Sequence, residues 1–109
     1  MGKLSTSGQE LAESVVSGSF TATGQSSAIA IGPERGGNVA IYGTFVGTVS
    51  VERSFDGGTN WIGLTDASGN AYSYTDDATF RIDEDERGVL YRLNCSAYTS
   101  GTINYRLST

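Results

Sequence analysis

From Val89 onward the chain alternates. Val89, Tyr91, Leu93, Cys95 and Ala97 oppose Leu90, Arg92, Asn94 and Ser96, and after a Gly-containing break Ile103, Tyr105 and Leu107 oppose Asn104, Arg106 and Ser108. A period of two places one set of side chains on one face of an extended strand, and it is incompatible with the 3.6-residue period of a helix. The same period recurs upstream. Phe20 with Ala22 predicts a strand over about 15–23, and Ile29 with Ile31 one over about 26–32. Val39, Ile41, Gly43 and Phe45 share a face of a strand near 38–45. Val49, Val51 and Phe55 point inward from about 48–55, against Thr48, Ser50 and Glu52. Arg53 falls on the inward phase of that strand, so it sits near a sheet edge or a bulge changes the phase. Trp61 to Leu64 reads as a return strand, Tyr72 and Tyr74 alternate with Ser73, and Phe80 pairs with Ile82 over 78–83.

Breaker clusters separate these segments: Gly32-Pro33-Glu34-Arg35-Gly36-Gly37, Asp56-Gly57-Gly58, Asp66 to Asn70, Asp83 to Gly88, and Tyr98 to Thr102 as a hairpin. Eight or nine short strands with turns between them and no amphipathic helix predict an all-β fold. The expected architecture is an antiparallel, jelly-roll-like β-sandwich, with a small closed barrel as the alternative. Residues 1–14 are polar and small, with Leu4 and Leu11 as isolated apolar positions, and read as an extended N-terminal arm. Residues 15–109 form the sandwich domain.

The sharpest local signal is Ser54-Phe55-Asp56-Gly57-Gly58-Thr59-Asn60-Trp61. Gly57 and Gly58 supply the positive φ of a tight corner, Asp56 hydrogen-bonds forward onto turn amides, and Trp61 folds back over the corner, where it is expected to be largely buried.

Composition narrows the functions. The 109 residues suit one domain with a real core, and a net charge of −5 with seven scattered basic residues argues against binding a nucleic-acid backbone. No apolar run approaches the ~20 residues of a membrane span, and the N-terminal stretch lacks the apolar core of a secretory signal, which predicts a soluble chain made in a cytoplasm. With no histidine and one cysteine, Cys95, on the core phase of its strand, neither a disulfide framework nor the commonest metal ligand and general base is present. Without histidine a Ser or Cys nucleophile would need a base such as lysine, and Lys3, the single lysine, stands in the arm. The acidic residues Asp76, Asp77 and Asp83 to Glu86 lack the spacing of a calcium loop and read as solvated, or as a surface for a basic partner. Of the six tyrosines, Tyr91 and Tyr105 lie on core phases, which favours packing over ligand stacking. The expectation is a nonenzymatic protein without metal or cofactor.

The octet SFDGGTNW resembles the Asp box of sialidases, with Ser54, Asp56, Gly58 and Trp61 in place and Asn60 where the family has Thr. That resemblance implies a structural hairpin corner, and the family's catalytic arginines, tyrosine and acids find no positions here. Over roughly residues 38–109, GTFVGTVSVERSFDGGTNW followed by VLYRLNCSAYTSGTINYRLS resembles small β-rich virion proteins of tailed bacteriophages, most of all head decoration, or cement, proteins. It implies a noncatalytic sandwich that assembles, commonly as a homotrimer, on the outer capsid surface and binds the major capsid protein. The arm, with Leu4 and Leu11 as anchors, is expected to reach a neighbouring subunit or the capsid. Related modules occur in tail and head-completion proteins. A carbohydrate-binding module using the same sandwich with an exposed aromatic face is the alternative.

Overall fold

A computed structural model describes residues 14–109. These form ten strands: β1 (Val15–Phe20), β2 (Gly24–Gln25), β3 (Ile29–Ala30), β4 (Gly37–Tyr42), β5 (Phe45–Ser54), β6 (Ile62–Gly63), β7 (Ser73–Tyr74), β8 (Ala78–Ile82), β9 (Leu90–Gly101) and β10 (Ile103–Ser108), with no helix among the described residues. All pairings are antiparallel. One sheet has four strands in the order β1-β10-β4-β8. The other runs β2-β9-β5-β6, with β3 also on β9 and β7 also on β5.

The inward positions of both sheets meet in one core, an arrangement compatible with a β-sandwich. Phe20, Val39, Ile41, Ile82, Ile103 and Leu107 come from the four-stranded sheet, and Ile29, Val49, Val51, Tyr91, Leu93 and Cys95 from the other, with Ile31 and Val89 beside them. Most residues that the two-residue period marks are here, because alternate Cβ atoms of a strand leave opposite faces. Ala22, Phe55 and Ala97 are exposed: the first two lie past the ends of β1 and β5, and Ala97 sits opposite Thr48 at a register shift. Tyr105 also points inward but stays half-buried, its ring 4.7 Å from that of Phe20. Gly18 makes room for it: a Cβ there would lie 2.7 Å from the Tyr105 hydroxyl.

Two expected elements are corrected. The segment Tyr98 to Thr102 is not a hairpin: β9 continues to Gly101, and Thr102 alone carries the chain across to β10 in the opposite sheet. The strand expected over 38–45 likewise ends at Tyr42, and Gly43-Thr44 carries the chain from β4 into β5 of the other sheet. An apolar alternation fixes which face turns inward, and a corner between two sheets satisfies it as well as a hairpin within one. The two crossovers lie against each other. The Thr102 amide donates to the Thr44 carbonyl (3.1 Å), and the Gly43 amide donates to Asp77 Oδ1 (3.1 Å). Gly43 (φ 134°) and Gly101 (φ 89°) both have positive φ. A Cβ on Gly43 would meet the Thr102 carbonyl oxygen at 2.4 Å, and one on Gly101 the Thr44 oxygen at 2.1 Å.

Further along, the β5–β9 ladder shifts register between Val46 and Gly47 and again between Thr48 and Val49. Both irregularities precede Arg53, which pairs in register with Tyr91. Arg53 is therefore inward by phase and lies near the strand end. The strands expected over 15–23 and 26–32 are shorter: β1 ends at Phe20, and of the second segment only β3 is strand, with β2 lying just before it. Of the N-terminal arm only Ser14 is described, its carbonyl accepting from the Thr109 amide at 3.1 Å. Leu4 and Leu11 lie outside the described residues.

Candidate functional site

The corner at Ser54 to Trp61 is built by side chains that replace backbone pairing. Ser54, fully buried, accepts the Gly58 amide on its hydroxyl (2.9 Å) and donates to Asp56 Oδ1 (2.8 Å). Asp56 Oδ1 also accepts the amides of Thr59 (3.1 Å) and Asn60 (2.9 Å), while its Oδ2 accepts Asn60 Nδ2 (2.7 Å). The Asn60 amide first, then the Asn60 side chain and the Ser54 hydroxyl, hold the Asp56 carboxyl down at about 2. Gly57 and Gly58 take φ of 76° and 97°, as a tight corner requires. Trp61 folds back, its Nε1–H donating to the Gly58 carbonyl (3.1 Å), but it is half-buried and not largely buried. One reason is that the corner lies over the outer face of the six-stranded sheet. There the Arg92 guanidinium sits 4.2 Å from the Trp61 ring centroid and its Nε donates to Glu52 Oε1 (2.8 Å).

A second corner repeats the device. Asp66 Oδ1 accepts the amides of Ser68 (2.8 Å) and Asn70 (2.9 Å), and its Oδ2 accepts Asn70 Nδ2 (3.3 Å). The Asn70 amide is the main cause of the lowered Asp66 pKa. An aspartate followed four residues later by asparagine spells this motif at both corners, a signal that the turn composition alone did not bring out.

Between the sheets, Asp66, Arg53, Tyr72, Arg81, Asp83 and Tyr91 line a cleft of about 330 Å³. Behind it the acidic run is not uniformly solvated. Asp83 is 88% exposed, but Glu84 is 8% exposed, accepting the Tyr91 hydroxyl at 2.7 Å with Arg53 Nη1 at 3.7 Å. Burial, reinforced by the hydrogen bond to Glu84, pushes the Tyr91 phenol well above its usual range. Glu84 turns inward because Tyr91 brings a polar tip into the core that needs an acceptor. Around this cleft Tyr72 and Tyr74 pack on Phe80 (5.8 and 4.9 Å between centroids), so both serve packing. Cys95 is buried, and burial raises its thiol pKa. Among the described residues no group of three or more carboxylate, thiol or imidazole side chains is placed to hold a metal ion.

The outer face of the four-stranded sheet has a different character. By alternation it presents Val15, Ser17 and Ser19 from β1, Asn104 and Arg106 from β10, Asn38, Ala40 and Tyr42 from β4, and Thr79 and Arg81 from β8, with Ser108 of β10 on the same side but buried. Register aligns Ser17, Arg106, Ala40 and Thr79 in one row, and Val15, Ser108, Asn38 and Arg81 in the next. Small Ala40 leaves a groove of about 390 Å³ between Arg106 and Arg81. Ser108 Oγ accepts Arg106 Nη1 (2.8 Å), and Asn38 Oδ1 accepts Arg81 Nη1 (3.3 Å). These rows carry two guanidinium groups, hydroxyls and amides, and no carboxylate, in a chain of net charge −5. Composition gave no sign of this segregation, because strand order decides which rows become neighbours.

Comparison of the chain with protein-family models, with characterised proteins and with solved structures finds no match. No helix of the described residues is long and apolar enough to cross a membrane.

Proposed function

We propose that this chain is a noncatalytic structural protein of a virus particle, a tailed-phage head decoration protein that binds the major capsid protein on the outer capsid surface, as a homotrimer. Its strand order supports a jelly-roll reading. β2 and β3 both lie on β9, and β6 and β7 both lie on β5, so each couple counts as one interrupted strand. The chain then has two sheets of four strands each, with the connections of a double Greek key, an architecture used by viral shell proteins and by lectins. Fold alone does not choose between those two.

The observation that carries the choice is the outer face of the four-stranded sheet, with its rows of hydroxyls and amides and its Arg81–Arg106 groove. Such a face suits extended contact with a protein shell, where many modest hydrogen bonds add across repeated copies. A carbohydrate-binding module needs an open aromatic platform, and at the tryptophan Arg92 occupies one side of the ring. The partners proposed are the capsid protein and further copies of this chain, without nucleic acid or membrane.

The test is co-sedimentation with capsids assembled from the major capsid protein that the same phage encodes, beside a glycan array. Wild-type protein should pellet with capsids. The double variant Arg81→Glu/Arg106→Glu should lose at least about tenfold in affinity while its melting temperature stays within a few degrees. Glycan binding without capsid binding would overturn the reading; binding to isolated tails alone would move the protein to another part of the particle.

A further inference from the structure

A sheet ends in edges whose unpaired amides and carbonyls can receive another strand, and proteins blunt such edges with short strands, charges, prolines or bulges. Three of the edges here are blunted. The six-stranded sheet ends in β2 and β6, each of two residues. On the four-stranded sheet, β8 carries Arg81 and is flanked by Asp76 and Asp77 before it and by Asp83, Asp85 and Glu86 after it. The remaining edge is β1. Its six residues, Val-Val-Ser-Gly-Ser-Phe, include no charge and no proline, and the register with β10 runs unbroken from Val15↔Ser108 to Phe20↔Ile103. Among the described residues β1 pairs with β10 alone, and Val15 is 47% exposed.

We infer that β1 is a self-association edge: in the free protein, β1 of a second copy adds to it antiparallel across a two-fold axis, joining two four-stranded sheets into one. Charge selects this edge, and self-complementarity the occupant. A second copy brings another net charge of −5. Of the carboxylates flanking the two outer strands of the four-stranded sheet, Asp76, Asp77, Asp83, Asp85 and Glu86 lie at β8, the edge opposite β1, against Glu10 and Glu13 before β1. Pairing through β1 places the two acidic β8 edges at the far ends of the joined sheet, roughly 34 Å apart at about 4.8 Å per strand. That is several times the Debye length of about 8 Å at physiological ionic strength, so their repulsion is screened. Pairing through β8 would bring both acidic flanks together. A two-fold contact is self-complementary, and an uncharged strand meets its own copy without like charges opposed. The inference stands apart from the capsid reading, since it concerns copies free in solution; either can fail alone.

Analytical ultracentrifugation of the full-length protein tests it. The expected result is a mass of twice the 11.4 kDa chain, dissociating on dilution. The double variant Ser17→Lys/Ser19→Lys, which charges two exposed positions of β1, should sediment as a monomer with an unchanged melting temperature. Should that variant melt early, cysteines decide. Ser17→Cys and Ser19→Cys, singly and combined, should yield a disulfide-linked dimer under mild oxidation, with Cys95 buried and silent. A wild-type monomer up to about millimolar concentration overturns the inference, as does a trimer indifferent to the two lysines or a failure of every cysteine variant to cross-link.

Discussion

Asp56 accepts from the Ser54 hydroxyl, the Thr59 and Asn60 amides and the Asn60 side chain, so the Ser54–Trp61 corner depends on one ionised carboxylate. Because its folded pKa, about 2, lies below the ordinary 3.8, the stability it contributes is present above about pH 4 and is lost as pH falls towards 2. Denaturant midpoints measured across that range should decline in the wild type, and Asp56→Asn should flatten part of the decline. Parallel curves for the two proteins would show that the acid sensitivity lies elsewhere. Trp61→Ala should cost about 1–3 kcal/mol, below the ~3–5 of a fully buried ring, because Trp61 is half-buried and keeps one hydrogen bond and one guanidinium contact. Urea melts of the variant check this. The forward bonding of Asp56 was legible from residue type and spacing. The inward turn of Glu84 was not, because what draws it in is Tyr91, brought close by the fold from seven residues away.

At the level of strands, the two-residue period located the core on both sheets, yet it left the connections open. Val39 with Ile41, and Ile103 with Leu107, satisfy the same inward phase whether the chain turns back within a sheet or crosses to the next. What separates the cases is close backbone contact at Gly43 and Gly101, which depends on two crossovers remote in sequence meeting in space. Gly101→Ala is therefore expected to destabilise by about 2–5 kcal/mol, combining left-handed strain with overpacking against the Thr44 carbonyl. Gly57→Ala, where φ is also positive but no atom lies within 4 Å of the added Cβ, should cost only about 1–2 kcal/mol. Equal losses in chemical denaturation would mean that the crossovers do not brace one another. The two register shifts in β5 and β9 were equally hidden.

For the molecule as a whole, the all-β class and most of the inward-facing residues were legible, whereas the surfaces were not: a row such as Ser17, Arg106, Ala40 and Thr79 draws on four separate strands. The N-terminal anchors proposed at Leu4 and Leu11 make their own prediction. Leu4→Ser/Leu11→Ser should leave the melting curve unchanged and weaken capsid binding by about 10²-fold, since every copy loses its tether together. Unaltered co-sedimentation would remove the arm from the interface. The pairing of β1 with β10 carries a further consequence, for synthesis. Val15 meets Ser108, so the first strand of the sheet leaves the ribosome 93 residues ahead of the end of its partner. At about 5–20 residues per second, the nascent chain holds that uncharged edge without its native neighbour for roughly 5–20 s. On a polysome translating several copies at once, these waiting strands are one another's nearest available substitutes.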